Sequence, residues 1–304
     1  MRAFFQKSGC KEMLAIFLLS FFWASTFGIT KLLLEKAGAL SLAAVRFWIR
    51  SSVLILVNIL TKKRKSIWKE KIQSGDKPLF IFVTACLVLH YLFSNLASTQ
   101  INNTESMALS SFQCVLMLLV ASLLLNELIT PVISLCVALS GIGAVLTMEI
   151  NAFDGKMLSG YIMMLLATLC WVLYCAYLPK LLKRYSILNL MTKQCLIAAV
   201  AYSPAFLLEE NHWNQIGTLD IAALLYLSVI CVALCFVLNA YGLKYMGSVR
   251  VSVLITIGPG VLVLLNILMH HTVVRPLGLV GLGFILTGVD MAVYDQLKNK
   301  ENSL

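Results

Sequence analysis

The sequence predicts an all-α polytopic membrane protein of ten transmembrane helices, arranged as two inverted five-helix repeats. Two observations lead to this fold class: apolar stretches of membrane-spanning length fill the 304-residue chain, and residues in its second half match residues in its first half. The mean hydropathy is +0.89. Sixty per cent of the residues are hydrophobic and only 12% are charged, about half the usual share. Such a composition excludes an ordinary soluble domain.

Each candidate span is close to the ~20 apolar residues that a helix needs to cross the hydrocarbon core. Because lipid offers the backbone no hydrogen-bond partners, runs this apolar are expected to be helical. The candidate spans run Leu14–Leu34, Leu40–Leu60, Leu79–Thr99, Met107–Leu125, Ile129–Met148, Leu158–Leu178, Leu188–Leu208, Ile221–Tyr241, Val251–Met269 and Leu277–Tyr294. No small-residue cleavage site follows the first span, so we interpret it as a retained helix and not as a signal peptide.

The repeat is visible as matching residues at an offset that drifts from 148 to 145 positions. The matched pairs are Trp23 with Trp171, Arg46 with Lys193, Pro131 with Pro276, and Gly143 with Gly288. An odd number of spans in each half forces the two copies to insert with opposite orientations. We therefore predict two repeats, residues 1–152 and 153–304. Inverted repeats recur in secondary transporters, whose substrate site lies near the midplane between the halves, so solute transport is the leading functional hypothesis.

The net charge of +10 is explained by membrane topology better than by nucleic-acid binding. If the N-terminus is cytoplasmic, 17 of the 24 lysines and arginines fall in cytoplasmic segments, with the densest group at Lys62–Lys77. This bias sets orientation by the positive-inside rule. The sequence thus predicts an integral protein of a bacterial inner membrane with both termini cytoplasmic, a lipid bilayer as partner and no nucleic acid.

Landmark residues in both halves resemble those of a known family. In the first half they are Phe22–Phe27, Lys31, Arg46, Leu123–Glu127, Gly141 and Gly143. In the second half they are Trp171, Tyr174, Lys180, Pro259, Gly278, Gly281 and Gly288. This pattern resembles the EamA-type ten-helix carriers of the drug/metabolite transporter superfamily over nearly the whole chain. It departs from the family at Cys114, where the fourth span would have proline, and at His270-His271, where the ninth span would end in an acid.

The sequence contains no nucleotide-binding glycine-rich loop, no His-Glu-x-x-His motif and no paired membrane aspartates, which argues against an ATP-driven pump and an intramembrane protease. We predict a carrier and not an enzyme, with no cofactor or metal, working as a monomer or a homodimer. The resemblance implies a cavity lined mainly by spans 1, 3, 4, 6, 8 and 9 that opens alternately to each side. Typical substrates would be amino acids, other small metabolites or toxic analogues, often exported.

Aromatic and polar side chains inside the spans are the candidate substrate-binding residues. The third span places polar residues at helical spacings of three and four, and a polar helix face must look into protein or water. We predict that one midplane cavity is lined by Trp23, His90, Tyr91, Ser94, Trp171, Tyr174 and Asn239. Aromatic walls with few fixed charges suit a neutral or zwitterionic solute.

Several alternatives remain open for these residues. The two tryptophans could pack the halves together instead of lining a cavity, and His90 is either a group that couples transport to a proton or a neutral, hydrogen-bonded ring. Arg46 and Arg50 either bind an anionic substrate, which would make the protein an organic-anion carrier, or serve structurally, with Arg46 extending to the membrane surface. A hypothesis from another class is a non-transporting sensor or intramembrane enzyme on a transporter-like scaffold.

Overall fold

The computed structural model describes residues 10–34, 36–60, 70–101, 106, 109–110, 112–124, 130–146, 155–255, 257–258, 261 and 276–301. Within these ranges all regular secondary structure is helical. The sequence features at Lys62–Lys65, Glu127, Pro259 and His270-His271 lie outside the described residues.

Most of the predicted spans coincide with a helix in the described part of the chain. The helices are α1 (Cys10–Leu34), α2 (Ala39–Leu60), α3 (Lys77–Ser98), α4 (Gln113–Leu124), α5 (Pro131–Leu146), α6 (Gly155–Leu182), α7 (Ile187–Tyr202), α8 (Thr218–Met246), α9 (Ser248–Ile255) and α10 (Pro276–Glu301). Helix α8 contains a π-helical segment, Tyr226–Leu234. Among the described residues, five helices are long and apolar enough to cross a membrane: Ala39–Leu60, Ser74–Ser98, Met157–Leu182, Ile187–Leu208 and Thr218–Met246.

Proline and glycine set several of the helix ends. Pro131 and Pro276 are the first residues of α5 and α10. A backbone N–H at this position has no acceptor within the helix, so proline, which lacks the N–H, costs no hydrogen bond there. Gly247 separates α8 from α9 with φ at +84°, a conformation that glycine adopts at little cost. The short link between these two helices therefore depends on a glycine at this position.

The surface of the helix bundle is apolar, and its mainly hydrophobic interior also buries many polar side chains. Leu60, Leu123 and Leu207 are 70%, 73% and 90% exposed, whereas Asn58 and Gln194 are fully buried. So many exposed large apolar side chains are unusual for a soluble protein. It fits a bundle that faces lipid and hydrogen-bonds its polar groups internally.

The most extensive helix packings are α5 with α10, α3 with α6, α2 with α7, and α1 with α8. Helices α2 and α7 run antiparallel. Near the start of α2, the Ser41 hydroxyl donates to the Ala205 carbonyl at 3.1 Å, and near its end the Asn58 amide donates to the Thr192 hydroxyl at 3.2 Å. These two helices belong to different halves of the chain, so their packing joins the halves.

Helices α5 and α10 also run antiparallel, and they cross at two glycines. A Cβ atom on Gly143 would lie 2.5 Å from the Gly281 carbonyl oxygen, and one on Gly288 would lie 2.8 Å from the Cys136 carbonyl oxygen. Small residues at such a crossing allow two membrane helices to approach closely. Gly143 and Gly288 are one of the matched pairs of the repeat.

Candidate functional site

Aromatic side chains from five helices meet at the centre of the bundle. We call them the aromatic cluster: Trp23 of α1, Phe47 of α2, His90 and Tyr91 of α3, Trp171 and Tyr174 of α6, and Phe236 of α8. Six of them belong to the main hydrophobic core or pack against it. The seventh, His90, contacts the ring of Trp171. The cluster therefore draws on both halves of the chain.

Trp171 lies in the middle of the aromatic cluster and is only 5% exposed. Its ring centroid is 5.2 Å from that of Trp23, in an edge-to-face arrangement. It is 5.0 Å from the His90 ring and 5.1 Å from the Tyr174 ring, on which it stacks. These separations are in the range at which aromatic pairs attract, so the rings hold one another in place.

The π-helical segment of α8 positions Trp23. The Trp23 indole N–H donates to the Cys231 carbonyl at 3.0 Å, and the Ser25 and Tyr226 hydroxyls are hydrogen-bonded at 2.9 Å. π-Helical turns interrupt the regular hydrogen-bond pattern and often occur at functional sites. Here the irregular segment supplies the acceptor that orients an aromatic side chain of the other half.

His90 uses one ring nitrogen for a structural contact. Its Nδ1 is 2.9 Å from the Ala167 carbonyl oxygen of α6, and a carbonyl can only accept, so Nδ1 carries the proton. The same ring touches those of Tyr91 and Trp171, with both centroids 5.0 Å away. This hydrogen bond orients the imidazole within the aromatic cluster.

The structure brings five of the seven predicted site residues together: Trp23, His90, Tyr91, Trp171 and Tyr174. Asn239 is buried on α8, where its amide lies 3.9 Å from the Cys175 sulfur. Ser94 is partly buried, and no hydrogen bond joins its hydroxyl to the aromatic cluster within the described ranges. Substrate binding by all seven stays a prediction.

Arg50 lies against the aromatic cluster and is completely buried. Its guanidinium carbon is 4.2 Å from the Phe47 ring centroid and 4.3 Å from that of Phe236. Its only described hydrogen bonds are long ones, 3.4 Å to the Tyr91 hydroxyl and 3.8 Å to the Cys195 sulfur. Cation–π contacts stabilise a cation by about 0.5–2 kcal/mol each, less than the several kcal/mol that desolvating it costs. The rings offset only part of that cost.

Arg46 lies one turn before Arg50 and is also buried. It is 7% exposed, and its described hydrogen bond is one of 3.5 Å to the Thr30 hydroxyl. This hydrogen bond joins Arg46 of α2 to α1. Anion binding and a structural role both stay predictions for Arg46. Its repeat partner Lys193 donates to the Glu70 backbone carbonyl.

A carboxylate joins the two halves at the start of α2. Glu209 accepts the backbone N–H groups of Leu40 at 3.0 Å and Ser41 at 2.7 Å. Asn211 accepts the N–H of Gly38 at 2.9 Å. A negative charge at a helix N-terminus satisfies free N–H groups and interacts favourably with the helix dipole. We call this the Glu209 contact.

A second carboxylate joins the halves at the start of α7, and we call it the Glu70 contact. Glu70 accepts the backbone N–H of Ser186 at 3.0 Å and a hydrogen bond from the Asn189 amide. Nearby, Asp76 accepts hydrogen bonds from Arg184 and Tyr185, both at 2.7 Å. Each half thus supplies an acid that caps a helix of the other half.

Burial raises the pKa of the Tyr185 phenol, and its hydrogen bond to Asp76 raises it further. The phenol therefore stays protonated at neutral pH and remains a donor to the Asp76 carboxylate. This hydrogen bond does not depend on pH near neutrality.

The family model for EamA-like transporters matches residues 11–149 and again residues 158–294. The chain belongs to the EamA-like transporter family. It is an integral membrane protein and a membrane transporter. The two matches fall on the two halves of the sequence that the repeat pairs relate.

A solved crystal structure shares the fold of this EamA-like transporter, with a TM-score of 0.79. The two chains are 18% identical, and the match covers 93% of this chain and 96% of the other. At this identity the likeness concerns the fold alone. A search of the curated proteins finds no significant match.

The sequence of this EamA-like transporter does not single out Phe47 and Phe236 of the aromatic cluster, or Glu70 and Glu209 of the two contacts between the halves. Phe47 lies between the two arginines in sequence, a signal that could have drawn attention to it. Phe236 carries no such signal, because a phenylalanine in a membrane span faces lipid as readily as protein. The two acids lie in loops, where only the packing of the halves reveals which helix ends they cap.

The site of this EamA-like transporter offers aromatic ring faces and two buried guanidinium groups. Ring faces pack against the apolar part of a small ligand. Guanidinium groups donate several hydrogen bonds in one plane and match the geometry of a carboxylate. In the described part of the chain, no ion pair involves either arginine.

Proposed function

We propose that this transporter carries a small polar or zwitterionic metabolite, such as an amino acid or a related compound, by alternating access, in the direction of export. The observation that carries the proposal is the contact between two indoles. Trp23 and Trp171 come from matching positions in the two halves, and their ring centroids are 5.2 Å apart. Inverted repeats form substrate sites at the interface between the copies, which is where this contact lies.

The proposed architecture is ten transmembrane helices in two inverted repeats, residues 1–152 and 153–304, with both termini cytoplasmic. Helices that correspond in the two copies, α2 with α7 and α5 with α10, run antiparallel. In the two repeats α1 corresponds to α6, and α3 corresponds to α8. The packing of α1 on α8 therefore has its counterpart in the packing of α6 on α3, and both packings are extensive. A two-fold axis in the membrane plane would produce these relations.

Alternating access requires two gates, one that closes the site toward each side of the membrane. We propose that the Glu209 and Glu70 contacts are parts of these gates. Helix α2 has 22 residues, or about 33 Å at 1.5 Å per residue, and the two contacts lie toward its opposite ends. Each contact joins the first half to the second through an acid that caps a helix start. Breaking one contact while the other persists would open the aromatic cluster to one side of the membrane only.

Replacing Glu209 with glutamine is expected to loosen the Glu209 contact. Glutamine keeps the size of the side chain but loses the charge and one acceptor oxygen. A lost cap costs about 0.5–2 kcal/mol, so amide hydrogen exchange at the start of α2 should become about two- to thirtyfold faster. Mass spectrometry of the peptide covering residues 36–42 measures it. The matched control is Glu210→Gln, since Glu210 is exposed; equal exchange in the two variants would contradict this role of Glu209.

Transport itself is tested with the purified full chain in liposomes. Counterflow of radiolabelled amino acids and organic acids should exceed that of protein-free liposomes for at least one solute. A protein that moves no solute across the panel would contradict transport and favour the non-transporting sensor or enzyme. For the direction, resistance of cells to toxic amino acid analogues should rise with expression, whereas rising sensitivity would contradict export.

A further inference from the structure

Three hydrogen-bond donors near the aromatic cluster lack an acceptor in the described part of the chain. They are the Nε groups of Arg46 and Arg50 and the side-chain Nε2 of Gln194. All three residues are at least nine-tenths buried. Gln194 receives a 3.3 Å hydrogen bond from Tyr174 at its oxygen, which leaves its amide nitrogen available. A buried donor without an acceptor is destabilising, so three of them together call for a ligand that accepts.

The two buried arginines also lack a counter-charge in the described part of the chain, which likewise indicates an anionic ligand. The two ion pairs of the described ranges are Lys36 with Asp220 and Arg184 with Asp76, so neither Arg46 nor Arg50 has a carboxylate within 4 Å there. Two guanidinium groups one turn apart on one helix repel each other. Burying such charges without a counter-charge is costly. Binding of an anion would remove that cost.

The rings around Arg50 restrict how such an anion can approach. Phe47 and Phe236 lie 4.2 and 4.3 Å from the guanidinium carbon, and Tyr91 lies 5.4 Å from it. Rings that cover its faces leave the N–H groups at its edge available. A planar carboxylate can accept two of these in parallel, with its organic part against the aromatic cluster.

We propose that Arg50, together with Arg46, binds the carboxylate of the transported metabolite, so that the substrates are small organic acids and amino acids and not neutral or cationic solutes. This inference rests on the proposed transport function. The acids with described hydrogen bonds or ion pairs lie toward the two ends of the bundle: Glu70, Asp76, Glu209 and Asp220. The ammonium group of an amino acid would therefore meet ring faces and carbonyls here, and binding depends mainly on the carboxylate.

The test compares four probes that differ in charge: phenylalanine, 3-phenylpropionate, phenylalaninamide and 3-phenylpropionamide. Each is assayed with purified protein by thermal stabilisation in detergent and by counterflow in liposomes. The two carboxylates should stabilise the parent by mass action and should exchange, whereas the two amides should do neither. If the amides bind as well as the acids, or if no carboxylate stabilises the parent, the inference is overturned.

The variant Arg50→Gln should weaken carboxylate binding about ten- to hundredfold, the range for a lost hydrogen bond between charged groups. Its ligand-free melting temperature should be equal to the parent's or higher, because an uncompensated buried charge is removed. A structural arginine predicts the opposite, a lower melting temperature with binding retained, and that result would overturn the proposal. Arg50→Lys should recover part of the binding. The control is Lys183→Gln, which removes one exposed positive charge and should change neither measurement.

The two proposals fail in different ways. If carboxylates stabilise the parent but are not transported, the transport proposal fails and the carboxylate site stands. If solutes are transported but Arg50→Gln behaves as the parent does with all four probes, the carboxylate site fails and transport stands.

Discussion

Replacing Gly288 with leucine is expected to abolish most of the folded protein. A Cβ atom at this position would lie 2.5 Å from the Ser140 hydroxyl oxygen and 2.8 Å from the Cys136 carbonyl oxygen. Because the second obstacle is backbone, α5 and α10 would have to separate along the most extensive helix packing of the bundle. Overpacking costs about 1–3 kcal/mol even where side chains can move aside.

The measurement is the yield and thermal midpoint of monodisperse protein in fluorescence-detected size-exclusion chromatography. Gly283 provides the matched control on the same helix, since a Cβ atom there would meet nothing within 4 Å. Gly283→Leu should be as stable as the parent or slightly more so, because leucine favours helix over glycine by up to ~1 kcal/mol. If the two variants have the same yield and thermal midpoint, the packing of α5 against α10 does not require a glycine at position 288.

Replacing Trp171 with alanine is expected to reduce transport at least tenfold. The indole contacts the rings of Trp23, His90, Tyr174 and Phe236, so its loss removes the centre of the aromatic cluster. A buried tryptophan truncated to alanine also costs about 3–5 kcal/mol of stability. Trp171→Phe is therefore measured beside it, because phenylalanine keeps a ring and most of the packing.

Counterflow rates are normalised to the amount of folded protein in the liposomes. The matched control is Trp48→Ala, since Trp48 is 41% exposed and its indole donates to Ser203 on the outside of α2 and α7. Trp48→Ala should transport at nearly the parent rate, and Trp171→Phe at an intermediate rate. A Trp171→Ala protein that transports as fast as the parent would show that the aromatic cluster only packs the two halves together.

Much of the candidate site could be predicted from the sequence because its residues carry local signals. Tryptophans in the middle of a span are rare, and their equal positions in the two halves single out Trp23 and Trp171. His90 and Tyr91 stand on a polar face of an otherwise apolar helix, and this face has to be sheltered from lipid. These four side chains meet in the structure.

Other features of the site lacked such signals. The spacing of Arg46 and Arg50 shows that they share a helix face, but whether that face meets acids, lipid or rings depends on neighbours from other helices. Polarity alone predicts that Asn239 lines the cavity, whereas the contact of its amide with Cys175 depends on the rotation of α8. A π-helical segment precedes it in the same helix, and helix periodicity cannot predict such a change of register.

By itself, the sequence determined the membrane class, the all-helical fold, the family and the repeat, because each depends on composition, span length or matched positions along one chain. Only the tertiary structure decided which helix faces meet. Among the residues that the structure describes, it surrounded Arg50 with rings and no carboxylate, and it placed Glu70 and Glu209 at the helix starts of opposite halves. The contacts of Arg50 with Phe236, of Glu209 with Ser41 and of Glu70 with Ser186 join residues more than a hundred positions apart. At such separations neither residue spacing nor helix propensity determines which residues meet, and the packing of the helices alone sets the distance.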